Sequence, residues 1–281
     1  MNYAKYHALG NDYIVLRPGD LQVELNPDIV RLICHRNYGI GSDGILLGPN
    51  ESPSCDFGLR IFNPDGSEAE KSGNGLRIFA RSLWDQGLVG EQPFTVETLG
   101  GPVSCRVENR GRSVTVEMGE VGFSSQKIPV IGPPREVLNE EIHVGDKLFK
   151  FCAATVGNPH CVVLCEEISS EEARRYGPLI ENDSRFPSRI NVQFMKVIDR
   201  KNIQLEIWER GAGYTLASGS SSTAAAAVAY RLGLCNPDIT VHMPGGSLRI
   251  QFKEGFFATM TGPVTKVCDG KISKEMFEKT L

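Results

Sequence analysis

What this chain has little of narrows its function before any motif is read. Charge of one sign is missing: 30 Lys plus Arg stand against 34 Asp plus Glu, a formal charge of −4 with no basic block. The electrostatic footprint of a nucleic-acid binder is therefore absent, and neither DNA nor RNA is an expected partner. A long apolar run is missing too. The uncharged stretch that could be mistaken for a membrane span, from Tyr214 to Tyr230, is dominated by Gly, Ser and Ala, too short and too polar to cross a bilayer, so no membrane partner is expected. The opening residues, MNYAKYHALGNDYIVL, carry no basic region followed by an apolar stretch and a small-residue cleavage site, and a cytoplasmic location is expected. Paired cysteines are missing as well. The eight Cys, at 34, 55, 105, 152, 161, 165, 235 and 268, form no CxxC, which in a reducing compartment makes them small buried hydrophobes. His160 with Cys161 and Cys165 suggests a metal site, but residues 161–165 read as one apolar strand, and no metal is expected.

What is present is a chain of 281 residues, 41% hydrophobic, long enough for one large core or two smaller ones. A repeat decides between them. Residues 62–90, FNPDGSEAEKSGNGLRIFARSLWDQGLVG, align with 208–236, WERGAGYTLASGSSSTAAAAVAYRLGLCN, at an offset of 146. Ser72-Gly73 falls on Ser218-Gly219, Gly87-Leu88 on Gly233-Leu234 and Asn63 on Glu209, while Gly10-Asn11 matches Gly157-Asn158 at an offset of 147. Each copy has one grammar: a strand (59–62 and 203–208), a polar Gly-rich loop, then a helix. The helices are expected over about 75–84 and 221–232, each closing near a C-terminal Gly. Alternating strands follow at 93–98, 113–118, 239–243 and 247–252.

The expected fold is α+β, with two pseudo-symmetric domains, each a curved, mostly antiparallel, barrel-like sheet around a central helix. Their bounds are read as 1–117 plus 264–281 and 118–263. If the halves face each other across a cleft, the loops at 72–75 and 218–221 present unpaired helix N–H groups and positive dipole ends to a common ligand, and an anion such as a carboxylate is the expected occupant. Ser and Asn also cap helices without any ligand. Capping alone does not account for Asn63, Asn74, Glu209 and Arg210 beside these loops.

At these residues the chain resembles the diaminopimelate epimerase family of amino-acid racemases. The resemblance runs through HALGNDY (7–13), RNYGIGSDG (36–44), FNPDGSEAE..GNG.R.FAR (62–81), VGNPHCV (156–162), FPSRINVQF (186–194), ERGAG.TLA.G (209–219) and MTGPV (260–264). It implies two similar domains around a cleft, an isomerase of amino-acid (lysine) biosynthesis, no cofactor, no metal, and a small amino-acid substrate with a carboxylate. In the family two cysteines handle protons on opposite faces of the substrate α-carbon. Here those positions are Ser72 and Ser218, and a hydroxyl is a weak base unless a neighbour activates it. The resemblance further implies that Asn11, Asn63, Asn158, Asn191 and Arg210 hold the distal end of the substrate. Gly73, Asn74, Gly219 and Ser220 would cradle the reacting carboxylate. Glu209 would receive the ammonium group, and His160 with Glu209 would tune the proton-transfer positions. Gly44 stands where many members carry a polar residue, and Lys71, Ser221 and Thr223 also depart from the usual pattern, which reads as a paralogue rather than a pair of point substitutions. Members commonly form homodimers through the C-terminal region, where Cys268 replaces a usual aromatic residue.

Three functions follow. The first is an epimerase or racemase with Ser72, Ser218, His160 and Glu209 in catalytic roles. The second is a non-catalytic amino-acid-binding paralogue. The third is serine-nucleophile chemistry at Ser218 with His160 as base and Glu209 as orienter, although the GxSxG elbow is missing. The GxGxxG match at 39–44 runs into an apolar stretch read as a strand, the reverse of what dinucleotide binding requires.

Overall fold

A computed structural model describes residues 1–278; the last three positions of the expected C-terminal segment, 279–281, lie outside the described residues. The chain divides into two compact units, Met1–Glu117 with the segment from Gly262 onward, and Met118–Thr261.

The first unit begins with a hairpin of strands Asn2–Ala8 and Asn11–Leu16. Leu9 and Gly10 turn it with φ of 57° and 89°, the two positive values a two-residue hairpin loop of matching twist needs. Asn11 is thereby set at the mouth of the second strand. Helix α1, Pro27–Cys34, follows. Next comes strand Ile45–Asn50, parallel to Asn11–Leu16, and then Phe57–Phe62, antiparallel to it. Helix α2, Gly73–Asp85, leads to Phe94–Thr98, parallel to Phe57–Phe62, and Gly101–Glu108 returns antiparallel. Strands from both sides pack on α2, whose residues Asn74 to Ala80 are buried.

The second unit runs through the same connections. Strands Lys147–Thr155 and Pro159–Leu164 form a hairpin, and helix α3 spans Ser170–Glu181. Asn191–Asp199 pairs parallel with Pro159–Leu164, and Asn202–Glu209 antiparallel with Asn191–Asp199. Helix α4, Gly219–Arg231, leads to Asp238–Met243, parallel to Asn202–Glu209, and Gly246–Phe252 returns antiparallel. The duplication read from the loops is therefore a duplication of the whole α+β topology, a mostly antiparallel curved sheet about one buried helix in each unit. The Ala run explains how α4 fits: Ala224 to Ala227 are completely buried, and small side chains let strands approach a helix on all sides. Its hydroxyls cost little there, because Ser222 and Thr223 donate to the carbonyls of Ser218 and Gly219 at 2.7 and 2.8 Å.

Both central helices start two residues before the expected positions, at Gly73 and Gly219 rather than 75 and 221. Ser72 and Ser218 sit in extended backbone at the N-cap, and each hydroxyl accepts from the third helical N–H, that of Gly75 at 3.0 Å and Ser221 at 3.4 Å. Both helices end as expected, with Gly87 and Gly233 at φ 71° just past the last turn. The strand read at 161–165 is Pro159–Leu164. The GxGxxG segment lies between α1 and strand Ile45–Asn50, helix before and strand after. Among the described residues no helix is long and apolar enough to cross a membrane.

Candidate functional site

In the first unit the site residues gather at the N-terminus of α2. Asn74 is the second helical residue; its Nδ2 donates to Asn11 Oδ1 at 3.0 Å and its Oδ1 accepts from Arg77 Nη2 at 2.6 Å. Asn11 Nδ2 donates to Asp43 Oδ2 at 3.0 Å, so both ends of that amide are oriented. An ion cluster holds the loop behind it. Arg36 bridges Asp12 and Asp43 at 2.8 and 2.7 Å, and Lys5 reaches Asp12 at 2.9 Å. Burial opposes the charge on Asp12, but the bonds from Arg36 and Lys5 outweigh it and hold the carboxyl down to about 2. Arg77 is wholly buried; burial alone pulls it down to about 9, and its Nε and Nη1 have no partner among the described residues. Asn63 lies apart from this cluster in its hydrogen bonds, its Nδ2 donating to Ser67 Oγ at 3.0 Å in a turn.

Ser72 is half-buried. Besides its capping bond, its Oγ lies 3.3 Å from the hydroxyl of Tyr13. The ring of Tyr13 occupies the space where a side chain at 44 would stand: a Cβ there would be 2.6 Å from Tyr13 Cε1 and 2.5 Å from the Phe62 carbonyl. Gly44 is thus required by the Phe62 carbonyl as well as by the tyrosine ring.

In the second unit the corresponding residues gather at the N-terminus of α4. Asn158 Nδ2 donates to Ser220 Oγ at 3.5 Å, the repeat equivalent of the Asn11–Asn74 bond. Ser218 is buried, and its side chain lies beside the Glu209 carboxyl. Burial raises the pKa of Glu209, and the neighbouring Ser218 offsets part of that rise. Asn191 is a brace: its Oδ1 accepts from the Arg210 N–H at 3.0 Å and its Nδ2 donates to the Pro159 carbonyl at 2.9 Å. The Arg210 guanidinium is exposed and donates to the Ser188 carbonyl at 2.9 Å.

His160 is completely buried. Its Nε2 is 2.9 Å from Asn158 Oδ1 and its Nδ1 is 3.1 Å from Gln193 Nε2. An acceptor on one side and a donor on the other place the single ring proton on Nε2. Burial pushes the imidazole down to about 3, so the ring is neutral. Gln193 Nε2 continues to Ser221 Oγ at 3.0 Å, and Ser221 N–H reaches Ser218. His160 is thus connected to Ser218 through Gln193 and Ser221. Both ring nitrogens are taken, and the Ser218–His160–Glu209 triad is not assembled among the described residues. No group of His, Cys, Asp and Glu among them could hold a metal.

Sequence reading did not single out Tyr13, Gln193, Asp43 or Glu181. Glu181, on α3, accepts from Gly211 N–H at 3.0 Å, Arg189 at 2.9 Å and Trp208 Nε1 at 2.7 Å, pinning the loop that carries Glu209 and Arg210. A buried acid facing a Gly-rich loop is a signal only once the partners are known.

The duplicated fold is that of known epimerases and racemases. It matches the crystal structure of a hydroxyproline epimerase from Agrobacterium vitis with a TM-score of 0.71 at 16% identity, covering 97% of this chain and 90% of the other. It also matches a probable proline racemase from Agrobacterium radiobacter with a TM-score of 0.69 at 16% identity, covering 99% and 94%. Within that class the chain belongs to the diaminopimelate epimerase family, whose model matches residues 3–124 and 152–267. It is 61% identical over 277 residues, 99% of this chain and 97% of the relative, to diaminopimelate epimerase 2 of Nostoc sp. strain PCC 7120. It is 39% identical over 279 residues, 96% and 98%, to the diaminopimelate epimerase of Pelotomaculum thermopropionicum.

Proposed function

We propose that this chain is an isomerase that inverts the α-carbon of a small amino acid without a cofactor, with diaminopimelate, for which its relatives are named, as the first candidate substrate. The observation that carries this reading is the repeated helix end: in each unit a serine caps a buried helix, and an asparagine from a hairpin turn is bonded to the second helical residue. The first N–H groups of a helix have no intrahelical acceptor. Gly73, Asn74, Gly219 and Ser220 are therefore assigned to the substrate carboxylate.

Ser72 and Ser218 take the two proton-transfer positions. On the Ser218 side, Oγ accepts the α-proton while its own proton passes to Glu209. Burial suits Glu209 to this by raising its affinity for a proton. Ser72 is assigned the delivery of its hydroxyl proton to the carbanion. Glu209 also receives the substrate ammonium, and Asn11, Asn63, Asn158, Asn191 and Arg210 hold the distal end. His160 fixes the orientation of Asn158. A homodimer in the cytoplasm belongs to the same reading, supported by the exposure of Val267 and Cys268 on strand Thr265–Lys271; sedimentation at micromolar concentration tests the dimer.

The function is tested by incubating the protein with LL-diaminopimelate in deuterated water between about pH 6 and 10, the range spanning carboxyl and thiol-like bases. Epimerisation with α-deuterium incorporation is expected. Calorimetric binding without either one would replace this reading with that of a binding paralogue, which the two serines in place of thiols favour.

A further inference from the structure

We propose that Tyr13 is a positioning residue for Ser72, its phenol O–H donating to Ser72 Oγ and holding the negative charge that forms there when the hydroxyl proton leaves. The inference rests on the reading of Ser72 as a proton-transfer position, although its test needs no turnover.

The geometry comes from three parts of one unit. Tyr13 is buried on strand Asn11–Leu16, Ser72 caps α2, and their oxygens are 3.3 Å apart across 59 residues of sequence. The phenol reaches this place because position 44 has no side chain, since a Cβ there would meet the ring at 2.6 Å. Gly44 and Tyr13 are thus one device: the space a side chain would fill is given to a ring that ends in a donor. Ser72 Oγ already accepts from Gly75 N–H at 3.0 Å. With Tyr13 O–H as a second donor, both lone pairs of Oγ are met and its proton is left to point away from the protein donors, toward a ligand. Loss of that proton to a carbanion leaves charge on Oγ beside one N–H and one phenol O–H. Donors aimed where charge develops stabilise it without rearrangement. The phenol keeps its own proton, so one proton leaves Ser72 and one arrives on carbon. The nearest cation in sequence, Lys71, is half-buried.

The test replaces the hydroxyl by a group whose ionisation can be followed. Ser72→Cys is compared with Ser72→Cys/Tyr13→Phe by iodoacetamide alkylation of position 72, read by peptide mass spectrometry from about pH 6 to 10. Tyr13→Phe is expected to raise the thiol midpoint by roughly one unit, lowering alkylation at neutral pH about tenfold, with thermal stability little changed. Ser72→Cys/Gly44→Ala, which displaces the ring without removing the phenol, is expected to shift the midpoint in the same direction. Coincident midpoints for Ser72→Cys and Ser72→Cys/Tyr13→Phe overturn the proposal, and so does a Tyr13→Phe protein that does not fold, because the hydroxyl would then be structural. A midpoint shift alongside a wild type that never exchanges an α-proton leaves this bond standing and removes only the epimerase reading.

Discussion

At the start of α2, Ser72 Oγ accepts from a helical N–H and meets a phenol; at the start of α4, Ser218 Oγ accepts from a helical N–H and meets a carboxyl group. The bonds dictated by helix geometry are the same in both units, and those beyond it differ. Asn63 and Glu209 are repeat equivalents, yet Asn63 closes a turn with Ser67 while Glu209 turns to the capping serine. Arg77 and Thr223 are equivalents too, one a wholly buried cation bonded to Asn74, the other a hydroxyl satisfied by the Gly219 carbonyl. The difference teaches that the duplication kept the scaffold while the neighbours of each serine diverged: a helical N–H and a phenol at Ser72, a helical N–H and a carboxyl at Ser218.

The largest test of this comparison restores the thiols. Ser72→Cys/Ser218→Cys is expected to raise α-deuterium exchange from diaminopimelate by about 10²- to 10³-fold over wild type, the span of a well-matched acid and base. Each single change should give much less. Equal gains from one single change and from the double would show that only one end handles protons.

Next comes the asymmetry of the two asparagine ties. Asn74→Ala strips the buried Arg77 of its bonded acceptor and frees Asn11, and should cost about 3 kcal/mol in urea unfolding. Ser220→Ala loses one long bond at a half-buried site, at about 0.5 kcal/mol. Similar costs would show that the two ends are braced alike.

A smaller effect is expected in pH dependence, where two groups of the second unit act in opposite senses. Glu209 is raised in the fold, so its contribution is present below the ordinary carboxyl range and lost as pH rises through the folded value. Glu209→Gln should therefore gain stability relative to wild type as pH rises from about 4 to 8. His160 is depressed from 6.5 to about 3, so its contribution is full above 6.5 and is lost as pH falls toward 3. His160→Gln should flatten the acid side of the stability curve in that window, and an unchanged slope would place the histidine in contact with water.

The last comparison concerns the exposed Arg210. Arg210→Ala should weaken diaminopimelate binding by about 2 kcal/mol and a monocarboxylic amino acid by less, because an Arg–carboxylate contact is charge-assisted. Equal losses in calorimetry would remove Arg210 from the distal end.

Much of the fold was legible because the repeat lies in the residues that set backbone conformation. Ser-Gly at each helix start, Gly past each helix end and the alternating strands each specify local geometry, and they occur twice. The helix starts were misplaced by two residues because the capping Ser itself defines where the helix begins. Asn11, Asn74, Asn158 and Glu209, which lie at the two helix ends, could be picked out in the sequence because the repeat and the family resemblance both mark them. The site was not legible where a side chain gains its meaning from a distant partner. Tyr13 reads as an ordinary strand residue until Ser72 and Gly44 are seen beside it. Gln193 sits in an apolar strand, and only the fold shows that it links His160 to Ser221.

The claim that the two serines have opposite surroundings is tested most directly by placing one thiol at a time and measuring both midpoints by alkylation. The account predicts that Ser72→Cys, facing an N–H and a phenol, ionises at lower pH than Ser218→Cys, which faces the Glu209 carboxylate, by roughly one unit. Equal midpoints, or a lower one at 218, would contradict it.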